Sequence, residues 1–364
     1  MIFLAVSLNA SEYDSKETKI QFSWTSSDIT CAYTESATRI KLFAENISSD
    51  PHSLTLCAYG WGLVPNTKYY GYYPYNSDYH TKALPMTALP ISYKGQTQQG
   101  NASIGHIAAF DFMTSQTTST SDACHFNFNH LGSIVRIECP VNVNAKISSI
   151  TISAGDEVFT TAATMNVTNN EVTATEKSTT FSLTLNDVEL TEGNVLVAYM
   201  MMAPVNLQNV PVDITLTTND GKTAQQTFTG PDMKPGKLYS VVMNAEFESE
   251  ENDDDPNGDD VLARKNIVSI EQNEDKLAAA SAVIEYPTAS ATDFELDTES
   301  SFEEYVLLGD ANSDGVVNTT DAVLVINYYL GKTTEIDKKA ADISLDGVIN
   351  TTDAVGIINK YLNK

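Results

Sequence analysis

From about residue 18 to residue 245 the apolar residues recur with a period of two, and this alternation confines the chain to β-structure. In "TFSLTLND", Phe181, Leu183 and Leu185 fall on one face, with Ser182, Thr184 and Asn186 on the other. The stretch "VDITLTTNDGKTAQQTFTG" turns Val212, Ile214 and Leu216 inward. It then offers Asp220-Gly221 for the positive-φ positions of a tight hairpin turn. In "SIVRIEC", Val135, Ile137 and Cys139 alternate with Arg136 and Glu138. The continuous apolar run "LVAYMMMAPV" fits a strand covered on both faces. Many short strands with turn signals between them predict a mainly β chain built of sandwiches. About 225 residues exceed what one small sandwich takes, so two in tandem are expected, over 18–145 and 146–248.

The remainder divides by composition. Residues 1–17 open with "MIFLAVSLNA", which is apolar and ends in small residues but lacks a positively charged front. It reads as the tail of a truncated secretory signal. "EFESEENDDDPNGDD" (Glu246–Asp260) carries nine carboxylates and no base. Self-repulsion makes residues 249–305 an acidic linker or connector, with Val261–Tyr305 reading equally as ordered connector or plain linker. The formal net charge of −27 argues against nucleic acid or an anionic membrane as partner. No stretch approaches the ~20 apolar residues of a membrane-spanning helix. Cys31, Cys57, Cys124 and Cys139 show no CxxC or Cys/His spacing. Buried free thiols are expected, with a Cys124–Cys139 disulfide as the alternative in an exported chain.

The C-terminal region carries one acidic loop twice. "GDANSDGVVNTTDAVLVINYYLGK" returns as "ADISLDGVINTTDAVGIINKYLNK", so that Asp310 maps to Asp342, Asp314 to Asp346 and Asp321 to Asp353. Metal loops of the EF-hand type space oxygen ligands at alternating positions, with Gly at the sharp turn. The first copy supplies Asp310, Asn312, Asp314, the Val316 carbonyl, Asn318 and Asp321, around Gly315. The second supplies Asp342, Ser344, Asp346, the Val348 carbonyl, Asn350 and Asp353, around Gly347. Hard oxygen ligands without His or Cys select Ca²⁺, so two ions are expected. Ser344 is a neutral hydroxyl, which makes the second site the weaker. The bland alternative is a pair of acidic turns.

Each loop opens a helix. Val323, Ile326 and Leu330 form an apolar stripe that Val355, Ile358 and Leu362 repeat, and the two helices are expected to pack together through it. No entering helix precedes the first loop, which separates this tail from calcium sensors that pair helix–loop–helix units around a Met-rich groove. A loop followed by a helix, duplicated, resembles a type I dockerin over residues 306–364. That resemblance implies calcium-dependent docking to a cohesin module on a scaffold or cell-surface protein, with Thr319, Thr320, Thr351 and Thr352 as contact residues.

A second resemblance covers roughly residues 18–245. "YYGYYPYNSDY" (Tyr69–Tyr79), "AFDFM" (Ala109–Met113), "FNFNHLGSIVRIEC" (Phe126–Cys139) and "MKPGKLYSVVMN" (Met233–Asn244) follow in the order seen in fimbrillin-like proteins of Bacteroidales. It implies two tandem transthyretin-like β-sandwich domains, secretion to the cell surface, and a role in fimbriae or adhesion. Other fimbrial subunits and host or plant glycans are the partners such a region would meet. The chain departs from the family in lacking a cysteine for lipid attachment near its start, and in carrying the C-terminal module.

No catalytic constellation is visible. His125 and His130 are five apart on one strand, so they face opposite sides and cannot share a metal. No GxSxG, phosphate-cradling loop or HExxH occurs. The expected function is therefore a non-enzymatic adhesin or fimbrial-type subunit tethered by its dockerin. The alternative is a glycan-binding or glycoside-hydrolysing cargo module of a cellulosome-like complex in polysaccharide catabolism, since a glycosidase needs only two carboxylates distant in sequence. The aromatic run Tyr69, Tyr70, Tyr72, Tyr73 and Tyr75 reads either as a sugar-stacking surface or as a strand packed in the core.

Overall fold

The computed structural model describes residues 19–47, 49–58, 64–120, 123–244, 246–247 and 288–362. The expected signal segment and most of the acidic linker lie outside the described residues. The chain forms two compact units, one within residues 1–226 and 230–302, the other within 227–229 and 303–364.

In the first unit the alternation does what its period dictates. Phe181, Leu183, Leu185, Val212, Ile214 and Leu216 are all buried, while Ser182, Thr184 and Asn186 face solvent. The hairpin closes at the expected turn, with Gly221 at φ 87° and the Thr218 amide donating to the Lys222 carbonyl. Seven strands close a barrel in the order Ile29–Thr34, Arg39–Ile47, Ser53–Cys57, Thr288–Ala291, His125–His130, Met113–Thr118 and Lys68–Tyr73. Phe22, Trp24, Leu42, Leu54, Tyr69, Tyr73, Phe126 and Phe128 fill its core. Edge-to-face contacts of Trp24 with Phe22, Tyr73 and Phe128 fix the ring packing. Tyr69, Tyr70, Tyr72 and Tyr73 are all buried, so these four are core and not a stacking surface, while Tyr75 is half-buried beneath Lys41.

A five-stranded sheet follows the order Lys19–Ile20, Phe294–Leu296, Lys237–Val242, Ser133–Pro140 and Val195–Met202. Another places Pro211–Thr218, Ala145–Ala154, Thr180–Asn186 and Thr97–Gln99 side by side. A third holds Glu171–Ser178, Phe159–Asn166 and Leu89–Ser92.

Two expectations change here. The break at 145/146 does not separate these bodies. Ser133–Pro140 lies between Val195–Met202 and Lys237–Val242, and Leu89–Ser92 pairs with Phe159–Asn166. A central strand is buried on both faces, which is why Arg136 and Glu138, expected on an outer face, are enclosed together with their Nε–Oε1 atoms 2.8 Å apart. The expected linker 249–305 also ends in structure. Thr288–Ala291 runs parallel to His125–His130 and antiparallel to Ser53–Cys57, and Phe294–Leu296 pairs with Lys19–Ile20 and Lys237–Val242.

Early and late chain are further joined by side-chain amides along the outer edge of Val195–Met202. Asn101 bonds the Val195 carbonyl and the Val197 amide, and Gln98 the Val197 carbonyl and the Tyr199 amide. Gln96 takes both backbone groups of Met201. These amides stand where a neighbouring strand would, so the edge is not left with orphaned polar groups. All four cysteines are buried free thiols.

Candidate calcium loops and docking face

The second unit contains two eleven-residue helices, Thr319–Tyr329 and Thr351–Tyr361, and a short helix, Lys338–Ala341. Both long helices start in the same way. Asn318 and Asn350 are N-caps whose side chains accept from the Thr320 and Thr352 amides, and Asp321 and Asp353 complete capping boxes. The helix thus begins at the end of the loop, which brings the last carboxylate of each copy back over it.

The two loops share one hydrogen-bond pattern. Asp310 Oδ1 and Oδ2 accept from the Asp314 and Gly315 amides at 3.0 and 2.8 Å. Asp342 does the same with Asp346 and Gly347 at 3.2 and 2.8 Å. Asp321 accepts from the Asn312 and Asn318 amides, and Asp353 from those of Ser344 and Asn350. The sharp turn uses positive φ at Ser313 and Gly315, and at Leu345 and Gly347. Burial alone would raise the carboxyl pKa of Asp353, but the Asn350 and Ser344 donors outweigh it and hold it below the usual carboxylate value.

The expected ligands therefore do not all occupy equivalent places. Asp310, Asp321 and Asp353 are buried, Asp342 is half-buried, and Asn312, Asp314, Ser344 and Asp346 are exposed on their loops. The Val316 and Val348 carbonyls accept from the Asn318 and Asn350 carboxamides at 3.2 and 3.0 Å. The side-chain oxygens of Asn318 and Asn350 serve the helix caps. Among the described residues, no three His, Cys, Asp or Glu side chains converge tightly enough to form a metal cluster by themselves. The donor chemistry nonetheless fits Ca²⁺. It is all oxygen, and each loop turns three carboxylates toward backbone amides, which leave lone pairs over for a cation.

The helices pack against each other, but not through the expected stripe. Ala322 and Val325 meet Ala354 and Ile357, with Ala311 and Ala341 completing the cluster. Val323, Ile326, Leu330, Val355, Ile358 and Leu362 are exposed, Val323 and Leu330 each at 55%. Asp321 sets this rotation. It is held inside by the loop amides, and Val325 lies one helical turn on, on the same face. Thr319, Thr320, Thr351 and Thr352 are exposed at the helix starts. Each helix thus presents a threonine pair and an unburied apolar stripe. One link escaped the sequence reading: Lys360 donates from Nζ to the Leu308 carbonyl at 2.6 Å, tying the second helix to the entry of the first loop.

A family model for fimbrillin-like proteins matches residues 65–252, more than half of the chain. The chain belongs to the fimbrillin-like family. Residues 308–363 of this fimbrillin-like chain match the dockerin type I domain. No curated protein matches it. Among solved structures it is similar to a candidate cell adhesion protein from Bacteroides ovatus, at 17% identity and a TM-score of 0.45, over 63% of this chain and 87% of that one. A candidate cell adhesion protein from Bacteroides uniformis gives 15% identity and a TM-score of 0.44, over 62% and 92%. The tip fimbrial protein of Porphyromonas gingivalis gives 10% and 0.31, over 55% and 74%.

Proposed function

We propose that this fimbrillin-like protein is a secreted, cell-surface adhesin or fimbrial-type structural subunit, held by its dockerin to a cohesin on a scaffold or surface protein. The carrying observation is the duplicated tail: two loops with one hydrogen-bond pattern, each launching a helix whose threonine pair and apolar stripe stay uncovered. Asp310, Asn312, Asp314, Val316, Asn318 and Asp321 hold one Ca²⁺ in this reading. Asp342, Ser344, Asp346, Val348, Asn350 and Asp353 hold the other. The barrel and the sheets beside it are the two bodies of the tandem β region.

The family to which the chain belongs supports a non-enzymatic role, and the local acid geometry points the same way. A groove of about 710 Å³ in the β unit is lined by Asp293 and Glu295. These two acids stand two residues apart on one segment, not on opposite walls as a glycosidase requires. Titrating the full chain against a cohesin module, with calcium and with chelator, tests the proposal. Binding in calcium and none in chelator is expected; equal binding in both would refute calcium-dependent docking.

A further inference from the structure

Between Thr288–Ala291 and Phe294–Leu296 the chain passes over two histidines. His130 has its Nε2 2.8 Å from the Thr292 carbonyl and its Nδ1 2.7 Å from Asp111 Oδ1. A neutral imidazole has one N–H and one lone pair, so it cannot donate to both oxygens. One proton beyond the neutral ring must lie in the Asp111–His130 contact, whichever of the two atoms carries it. Both side chains are buried, and Asp111 Oδ2 has no other partner. The Phe294 ring lies 4.0 Å from the imidazole, centroid to centroid, and Phe22 meets it edge-on.

His52 repeats the arrangement at the groove. Its Nε2 is 2.7 Å from Asp293 Oδ1 and its Nδ1 is 2.9 Å from Asp50 Oδ1, so both nitrogens face carboxylates. Asp293 also takes Lys19 Nζ and the Phe22 amide, each at 2.9 Å. Lys237 and Glu295 line the same groove. Burial pushes both imidazole pKa values down, but the carboxylates win. Asp111 raises His130 with help from the Thr292 carbonyl and Asp293, and Asp293 and Asp50 raise His52.

We propose that the segment Ala291–Glu295 is fastened into the β unit by protons held at His130 and His52, which makes this return of the chain a pH-sensitive part of the fold. A group whose pKa is higher in the folded state lends stability that is complete below its ordinary value and is lost as pH rises through the folded one. The segment is therefore held most tightly below the ordinary imidazole value and loosens as pH rises from there through the raised ones.

The test uses the full chain, with ring-nitrogen NMR of the histidines and amide exchange of Thr288–Leu296 read across the same pH range. Both rings should be protonated where exchange is slowest. After correction for intrinsic rates, exchange should accelerate by up to about tenfold per pH unit for each proton lost, between the ordinary and the raised imidazole values. Amides of Pro211–Thr218 serve as the unaffected reference. Asp111→Asn supplies an N–H to a neutral Nδ1 and leaves Nε2–H for Thr292, so it should remove the His130 step and keep only that of His52. A neutral His130 beside an ionised Asp111 with the segment still fully protected, or exchange in the unaltered protein that ignores pH, would overturn the proposal. The wild-type titration decides the matter even if the variant does not fold.

Discussion

The β unit and the tail secure their folds by different means. The β unit closes over long sequence distances: Thr288–Ala291 pairs with Ser53–Cys57 and His125–His130, around a core of Trp24, Phe126 and Phe128. The core cluster of the tail has six buried residues, four of them alanine, with Val317, Leu324, Ile336, Ile343 and Ile349 only partly buried against it. Alanines bury too little apolar surface to offset the ordering of two helices and two loops. The tail also crowds acids into each loop, which repel one another without a counter-ion. The lesson is a division of labour. On the proposed reading one unit is stable through apolar burial and the other through a bound cation, so each should respond to a perturbation that leaves the other untouched.

The largest effect should come from the docking face. Replacing both threonine pairs with glutamate (Thr319, Thr320, Thr351 and Thr352) should abolish cohesin binding, because a desolvated interface tolerates little unpaired charge. Calorimetric titration reads this, and calcium binding should survive. In the β unit, Phe126→Ala should cost about 3–5 kcal/mol by the cavity it leaves, measured by urea unfolding, without changing calcium affinity. Ile357→Ala should destabilise the tail by about 2–5 kcal/mol and raise the calcium concentration needed to form helix, leaving the β transition in place. The smallest effect should be that of one threonine pair alone. If the duplicated faces let the tail dock in either of two orientations, binding should stay nearly intact. Loss of binding in one single-pair variant would leave a one-faced module.

How much of this was legible depended on how far a residue's partners lie along the chain. The alternation of Phe181, Leu183 and Leu185 is a local signal, and the structure keeps it. So is the Asp220-Gly221 turn, and so are the duplicated loops, although Asn318 and Asn350, read from the sequence as ligands, also cap the helices. The strand at Thr288–Ala291 was hidden because its four residues acquire meaning only from partners elsewhere in the chain. The amides of Gln96, Gln98 and Asn101 were hidden for the same reason. The helix stripe failed differently. Weighing positions by hydrophobicity chose Val323, Ile326 and Leu330, whereas the small Ala322 and Ala354 let the helices meet and the anchored Asp321 fixed their rotation.

The division between the units is tested most directly by thermal unfolding of the full chain, in calcium and in chelator, followed by far-ultraviolet circular dichroism. In calcium, helical and β signals should both be present and unfold as separate transitions. In chelator the tail's helical signal should be absent at the start if its folding is coupled to calcium binding as proposed, while the β transition keeps its midpoint. Asp310→Ala or Asp314→Ala should reproduce part of the chelator result by emptying the first loop. Full helicity in chelator, or a β midpoint that rises with added calcium, would contradict the account.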